Sequence, residues 1–253
     1  MCLVVNVKGI SVYVDKSGEG NQAVILLHGW GQSSNSFQDV RNFLKDAFTV
    51  YSVDLPGFGL SNKPNYPYNT QDYAEVLKGI IDEYRIQTPI IIGHSFGGRV
   101  AIKYTALFNQ VKKLILIDSA GIVHKKPLTY YFKVYTFKFL RRLFSLPILN
   151  RYKKRALRRF GSNDYKQADD LMKQVLVRVV NEDLRTDLPK IKCPTLLVWG
   201  TNDYVTPLKD AYIMKELIPD AGVVEIKGAG HFSYLDNLPY FLRVLDVFLK
   251  EDK

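Results

Sequence analysis

The residue types able to do covalent chemistry gather around one serine. Ser95 sits in Gly93-His94-Ser95-Phe96-Gly97-Gly98. The apolar, β-branched run Pro89 to Ile92 precedes it, and helix-forming residues from Arg99 to Phe108 follow. Strand, sharp turn and helix with a serine at the apex is the layout that presents a hydroxyl for nucleophilic attack. The flanking glycines serve the turn, because larger side chains would strike the neighbouring strand and helix.

A serine hydroxyl is a weak nucleophile at neutral pH, so it needs a base, and the base needs a group to orient it. The chain has four histidines. His28 precedes the glycines of a tight loop. His94 adjoins the serine on a turn so sharp that its side chain is expected to point away, and His124 lies in a basic segment. His231, in Gly228-Ala229-Gly230-His231, follows the last strand and is free to reach across the strand ends, so it is the expected base. For the orienting carboxylate, Asp203 follows the strand Thr195 to Trp199 and precedes His231 by 28 residues. Asp118, also at a strand end, is the rival, while Asp54 and Asp236 read as a turn residue and a helix-start residue. An oxyanion formed on attack needs two preorganised N–H donors, each worth about 3 kcal/mol. The backbone of Phe96 is expected to supply one, and Trp30, in His28-Gly29-Trp30-Gly31, the other.

The elements that must hold these groups alternate along the chain. Leu3 to Val7 and Ile10 to Val14 flank Lys8-Gly9 as a hairpin, and Ala23 to Leu27 reads as a buried strand. Ser33 to Asp46 reads as a helix capped by Ser33 or Ser34, and Phe48 to Val53 as a strand. Thr70 to Tyr84 has helical spacing, and Val111 to Ile117, Thr195 to Trp199 and Val223 to Ile226 read as strands. Thr206-Pro207 is expected to open a helix as cap and first residue, and Leu238 to Lys250 closes the chain as another. Alternating strands and helices predict a mostly parallel sheet covered on both faces. In such sheets sites form at the carboxyl ends of the strands, where His28, Asp54, Ser95, Asp118, Asp203 and His231 all fall.

These motifs, together with Asp54-Leu55-Pro56-Gly57-Phe58-Gly59-Leu60-Ser61 and Trp199 to Asp203, resemble the α/β-hydrolase-fold serine hydrolases. The resemblance covers nearly the whole chain. It implies an α/β fold with a mostly parallel eight-stranded sheet, helices on both faces and an inserted helical cap. The core would be 1–120 and 190–253, with the cap at 121–189. It also implies the order Ser95, Asp203, His231 for a catalytic triad and an acyl-enzyme route that uses no metal or organic cofactor. Serine at the elbow separates the chain from the dehalogenases and epoxide hydrolases of this fold, which place aspartate there. The carbon–carbon bond hydrolases carry a longer glycine-rich oxyanion loop. His-Gly-Trp-Gly with Asp-Leu-Pro-Gly-Phe-Gly also resembles the esterases that cleave pimeloyl-acyl carrier protein methyl ester, although the residue before the serine differs.

Charge adds a second feature. The chain of 253 residues carries a net charge of +10, yet twelve of its lysines and arginines, and no acidic residue, lie between Gly121 and Asn163. The other 23 basic residues face 25 acidic ones, a balance of −2. Arg151, Lys154, Arg155, Arg158 and Arg159 follow helical spacing and would form one cationic stripe, with Leu149, Tyr152, Ala156 and Phe160 opposite. Such a stripe is either a solvated helix face or a surface for an acidic carrier protein or an anionic membrane. No nucleic-acid motif accompanies it. Two cysteines, no charged leader and no apolar run of about 18 residues predict a soluble, cytoplasmic protein. The expected activity is hydrolysis of small carboxylic esters. The alternatives are hydrolysis of acyl groups on acyl carrier protein or coenzyme A, and a non-catalytic binding protein of the same fold.

Overall fold

A computed structural model describes residues 2–124 and 163–253. Eight strands form one sheet in the order β1-β2-β4-β3-β5-β6-β7-β8. They are β1 (Cys2–Val7), β2 (Ile10–Ser17), β3 (Ala23–Leu27), β4 (Thr49–Val53), β5 (Ile90–His94), β6 (Lys113–Ile117), β7 (Thr195–Gly200) and β8 (Ala221–Ile226). The first two strands form the antiparallel hairpin, and β2 meets β4 antiparallel. From β4 onward every neighbouring pair is parallel.

The apolar strands are hydrophobic on both faces because both faces are covered. Ile91, Leu114, Leu116, Leu197 and Trp199 point into one core with α2 (Thr70–Glu83) and α3 (Phe96–Phe108). The residues between them, Ile90, Ile92, Ile115, Leu196 and Val198, point into a second core with α1 (Gln38–Leu44) and the C-terminal helix. This period of two sorts the strands between the two layers. The remaining described helices are α4 (Asn163–Gln167), α5 (Asp170–Asn181), α6 (Lys209–Leu217), α7 (Ser233–Asp236) and α8 (Leu238–Phe248).

Two helix starts differ from the sequence expectation. Ser33 makes no side-chain cap; a 3₁₀ turn over Ser34–Phe37 comes first and α1 begins at Gln38. Helix α6 begins at Lys209 with Leu208 at its cap position, so neither Thr206 nor Pro207 belongs to it. The Thr206 hydroxyl instead donates to Asp203, forming a charge-assisted hydrogen bond. Asp236 closes α7 rather than opening a helix, and it accepts the Gly230 N–H at 2.7 Å.

Residues 163–189, at the return of the expected cap, are fastened to α3. Lys103 of α3 bridges Glu182 and Asp187, and Arg99 donates to the Glu182 carbonyl. The cationic stripe of Arg151, Lys154, Arg155, Arg158 and Arg159 lies outside the described residues.

Candidate active site

The turn that carries Ser95 is strained. Ser95, between β5 and α3, has φ 50° and ψ −110°, a conformation that costs a non-glycine residue on the order of 1–3 kcal/mol. A Cβ at Gly93 would lie 2.6 Å from the Gly97 carbonyl oxygen, and one at Gly97 would lie 2.0 Å from that of Leu27. Helix α3 is thus pressed across the end of β3, and only glycine allows the approach. The turn is tied to β6 by the Ser95 N–H, which donates to the Ile117 carbonyl at 3.0 Å.

The loop after β8 brings His231 to this turn. Its Nε2 lies 2.9 Å from Ser95 Oγ, and its Nδ1 lies 2.8 Å from Asp203 Oδ2. With a carboxylate on Nδ1, that nitrogen carries the proton and Nε2 is left to accept from the serine. Asp203 is buried and saturated with donors. Val205 and Thr206 N–H groups reach Oδ1 at 2.7 and 3.0 Å, and the Thr206 hydroxyl reaches Oδ2 at 2.6 Å. Burial would raise its pKa, but hydrogen bonds from His231 and Thr206 outweigh that and hold it below the usual carboxylate range. The carboxylate therefore stays ionised beside the imidazole.

Asp118, the rival, does a different job. Its carboxylate accepts the Gly200 N–H at 2.8 Å and the Ser233 N–H at 2.9 Å. It clamps the end of β7, which leads to Asp203, to the segment just after His231. Burial pushes its pKa up to about 6, against the pull of the Ser233 and Gly200 hydrogen bonds.

On the other side of Ser95 lies the loop His28 to Gly31. His28 Nδ1 donates to the Gly29 carbonyl at 2.7 Å, and its Nε2 accepts the Leu55 N–H at 3.0 Å. Burial lowers its pKa to about 4, so it stays neutral and acts as a staple between two loops. Asp54, expected as a turn residue, also joins loops, accepting N–H groups of Ser34 and Leu60. Trp30 packs edge-on against Phe96 and Phe58, with ring centroids 5.3 and 4.8 Å away. Phe96 opens α3, where backbone N–H groups have no acceptor within the helix. Beside Trp30 a cavity of about 220 Å³ extends between Phe58, Lys63, Asp169 and Met172.

Sequence reasoning missed two groups. His94 donates from Nε2 to the His231 carbonyl at 2.7 Å, although it was expected only to point away from the serine. The hydroxyl of Thr206 contacts Asp203 rather than a helix end. No local pattern marks the first, whereas a threonine three residues after the acid could have flagged the second. Among the described residues, no cluster of three or more His, Cys, Asp or Glu could hold a metal, and no helix is long and apolar enough to cross a membrane.

Comparison with known proteins agrees with this architecture. A family model described as "Alpha/beta hydrolase family" matches residues 24–241. The pimeloyl-[acyl-carrier protein] methyl ester esterase of Legionella pneumophila (strain Corby) is 27% identical over 95% of this chain and 100% of its own length. The structure of an esterase from Exiguobacterium antarcticum superposes with a TM-score of 0.79 at 26% identity, covering 99% of this chain and 100% of that one. A bacterial membrane phospholipase A, described as a virulence factor, superposes with a TM-score of 0.78 at 26% identity, covering 99% of this chain and 86% of that one.

Proposed function

The chain belongs to the alpha/beta hydrolase family, and on that premise we propose that it is a serine hydrolase cleaving carboxylic esters through an acyl-enzyme. One observation carries the reading: His231 stands between Ser95 Oγ at 2.9 Å and Asp203 Oδ2 at 2.8 Å, within hydrogen-bond reach of both, so that it can take the serine proton while the carboxylate orients it. In the proposed reaction Ser95 Oγ attacks the ester carbonyl while its proton passes to His231 Nε2. The oxyanion is held by the N–H groups of Trp30 and Phe96. His231 then gives that proton to the leaving alkoxide, and the alcohol departs. A water molecule, deprotonated by the same nitrogen, attacks the acyl-serine. The acid leaves and the proton returns to Ser95. Asp203 keeps the imidazole in the required tautomer and stabilises its charged form.

The test is reaction with a fluorophosphonate probe, followed by a series of p-nitrophenyl esters of increasing chain length. Labelling and turnover that both vanish in Ser95→Ala support the reading. Labelling that survives in Ser95→Ala would overturn it.

A second reading gives the substrate a carrier: an acyl ester or thioester on acyl carrier protein or coenzyme A. The full-length similarity to an esterase acting on an acyl carrier protein favours it, as do twelve basic residues in a segment without acidic ones. A binding protein without activity would have no need of a serine, a histidine and a carboxylate in hydrogen-bond register.

A further inference from the structure

We propose that Thr206 is a positioning residue of this site, its hydroxyl fixing the carboxylate that orients His231. The proposal rests on the serine-hydrolase reading and adds a group to it. Thr206 is buried, and its oxygen faces two acceptors and the protonated ring nitrogen of His231. Asp203 Oδ2 is 2.6 Å away, the Asp118 carbonyl oxygen 3.0 Å and His231 Nδ1 3.3 Å. A hydroxyl has one proton to give. A separation of 2.6 Å is that of an O–H donor on an ionised carboxylate, and it would be repulsive if the proton pointed elsewhere. The proton therefore belongs on Asp203.

The side chain has no freedom to leave. Its own carbonyl accepts the indole N–H of fully buried Trp199 at 2.7 Å, and its own N–H donates to Asp203 Oδ1 at 3.0 Å. Branching at Cβ restricts χ1 further. Four donors thus fix the plane of the Asp203 carboxylate: two backbone N–H groups on Oδ1, and the Thr206 hydroxyl with His231 on Oδ2. Only one approach remains for the imidazole. The hydroxyl also draws charge from Oδ2 and so weakens its pull on the imidazolium, a cost smaller than the gain from holding the imidazole in line with Ser95.

Two signatures follow. Thr206→Val keeps the shape and removes the donor. It is expected to lower kcat about tenfold, roughly 1.4 kcal/mol, with KM changed less than twofold. The acid limb of the pH profile of kcat/KM is expected to move to higher pH by several tenths of a unit, because Asp203 then favours the protonated imidazole more strongly. Thr206→Ser keeps the hydroxyl and is expected to restore the limb, with kcat within about threefold of the parent. Should the valine variant fail to fold by circular dichroism, Thr206→Ala is read in its place against the same serine control. An unmoved limb with kcat within twofold overturns the proposal, as does a serine variant that behaves like valine. Fluorophosphonate labelling of the parent enzyme and of Ser95→Ala separates the two levels. Absence of labelling in the parent removes the hydrolase reading. Serine-dependent labelling with an inert Thr206→Val removes only the role of Thr206.

Discussion

His94 Nε2 lies 2.7 Å from the backbone carbonyl of His231, so the residue beside the nucleophile holds the main chain of the proposed base. Its ring packs against those of His231, Phe232 and Tyr234, with centroids 5.0, 4.9 and 5.3 Å away. The elbow and the histidine loop therefore form one unit, although 136 residues separate Ser95 from His231.

This contact predicts a pH effect on stability. Burial, with the charge of His231, lowers the His94 pKa to about 3, whereas the unfolded chain takes up a proton near pH 6.5. The stabilising contribution is complete above about pH 6.5 and is lost as pH falls towards 3. Replacing His94 by Phe or Gln should flatten the dependence of unfolding free energy on pH between about 4 and 6 by ~1.4 kcal/mol per unit. Urea melts across that range measure it. Gln, which retains an N–H donor, should keep more activity than Phe. An unchanged slope would mean that His94 is already charged in the fold.

The three residues of the proposed triad should act as a unit. Ser95→Ala and His231→Ala are each expected to lower kcat on the order of 10⁴- to 10⁶-fold, with thermal melting close to the parent. A loss in His231→Ala of less than a hundredfold would point to another base.

The two strand-end carboxylates should separate cleanly. Asp203→Asn is expected to cost about 10⁴ in kcat by imposing the wrong imidazole tautomer, and Asp118→Asn far less. Asp118 should instead matter for stability. Its pKa of about 6 lies above the unfolded value of 3.8, so its own contribution to stability grows as pH falls from about 6 to 4. The Asn variant lacks that gain, and its deficit should widen over the same interval. A reversed order of kcat losses would assign the orienting role to Asp118.

The basic segment can be tested through substrate charge. Reversing Arg155, Arg158 and Arg159 to Glu should leave kcat/KM for a neutral short ester within about threefold. For an acyl group on an acidic carrier protein it should fall tenfold or more, about 1.4 kcal/mol. The difference should shrink with salt, as the Debye length drops from about 10 Å at 0.1 M to about 3 Å at 1 M. Equal effects on both substrates would return the stripe to a solvated helix face.

Much of this site was legible in residue order because its signals are local. Gly93-x-Ser95-x-Gly97 between an apolar run and a helix encodes its own turn, and alternating strands and helices place every loop that bears the candidate residues at one edge of the sheet. Two decisions needed the third dimension. Asp118 and Asp203 look equivalent in sequence, since both end a strand, yet in the fold Asp118 points at the backbone of Gly200 and Ser233 while Asp203 meets His231. Thr206 and His94 likewise find partners other than those their local pattern suggested: a carboxylate that accepts the hydroxyl, and a carbonyl delivered by the last loop. Local pattern records which segments turn and which are buried, because those follow from each residue's own neighbours. Which polar atom satisfies which other one is decided only when the segments close on each other, since burial then requires every donor and acceptor to find a partner.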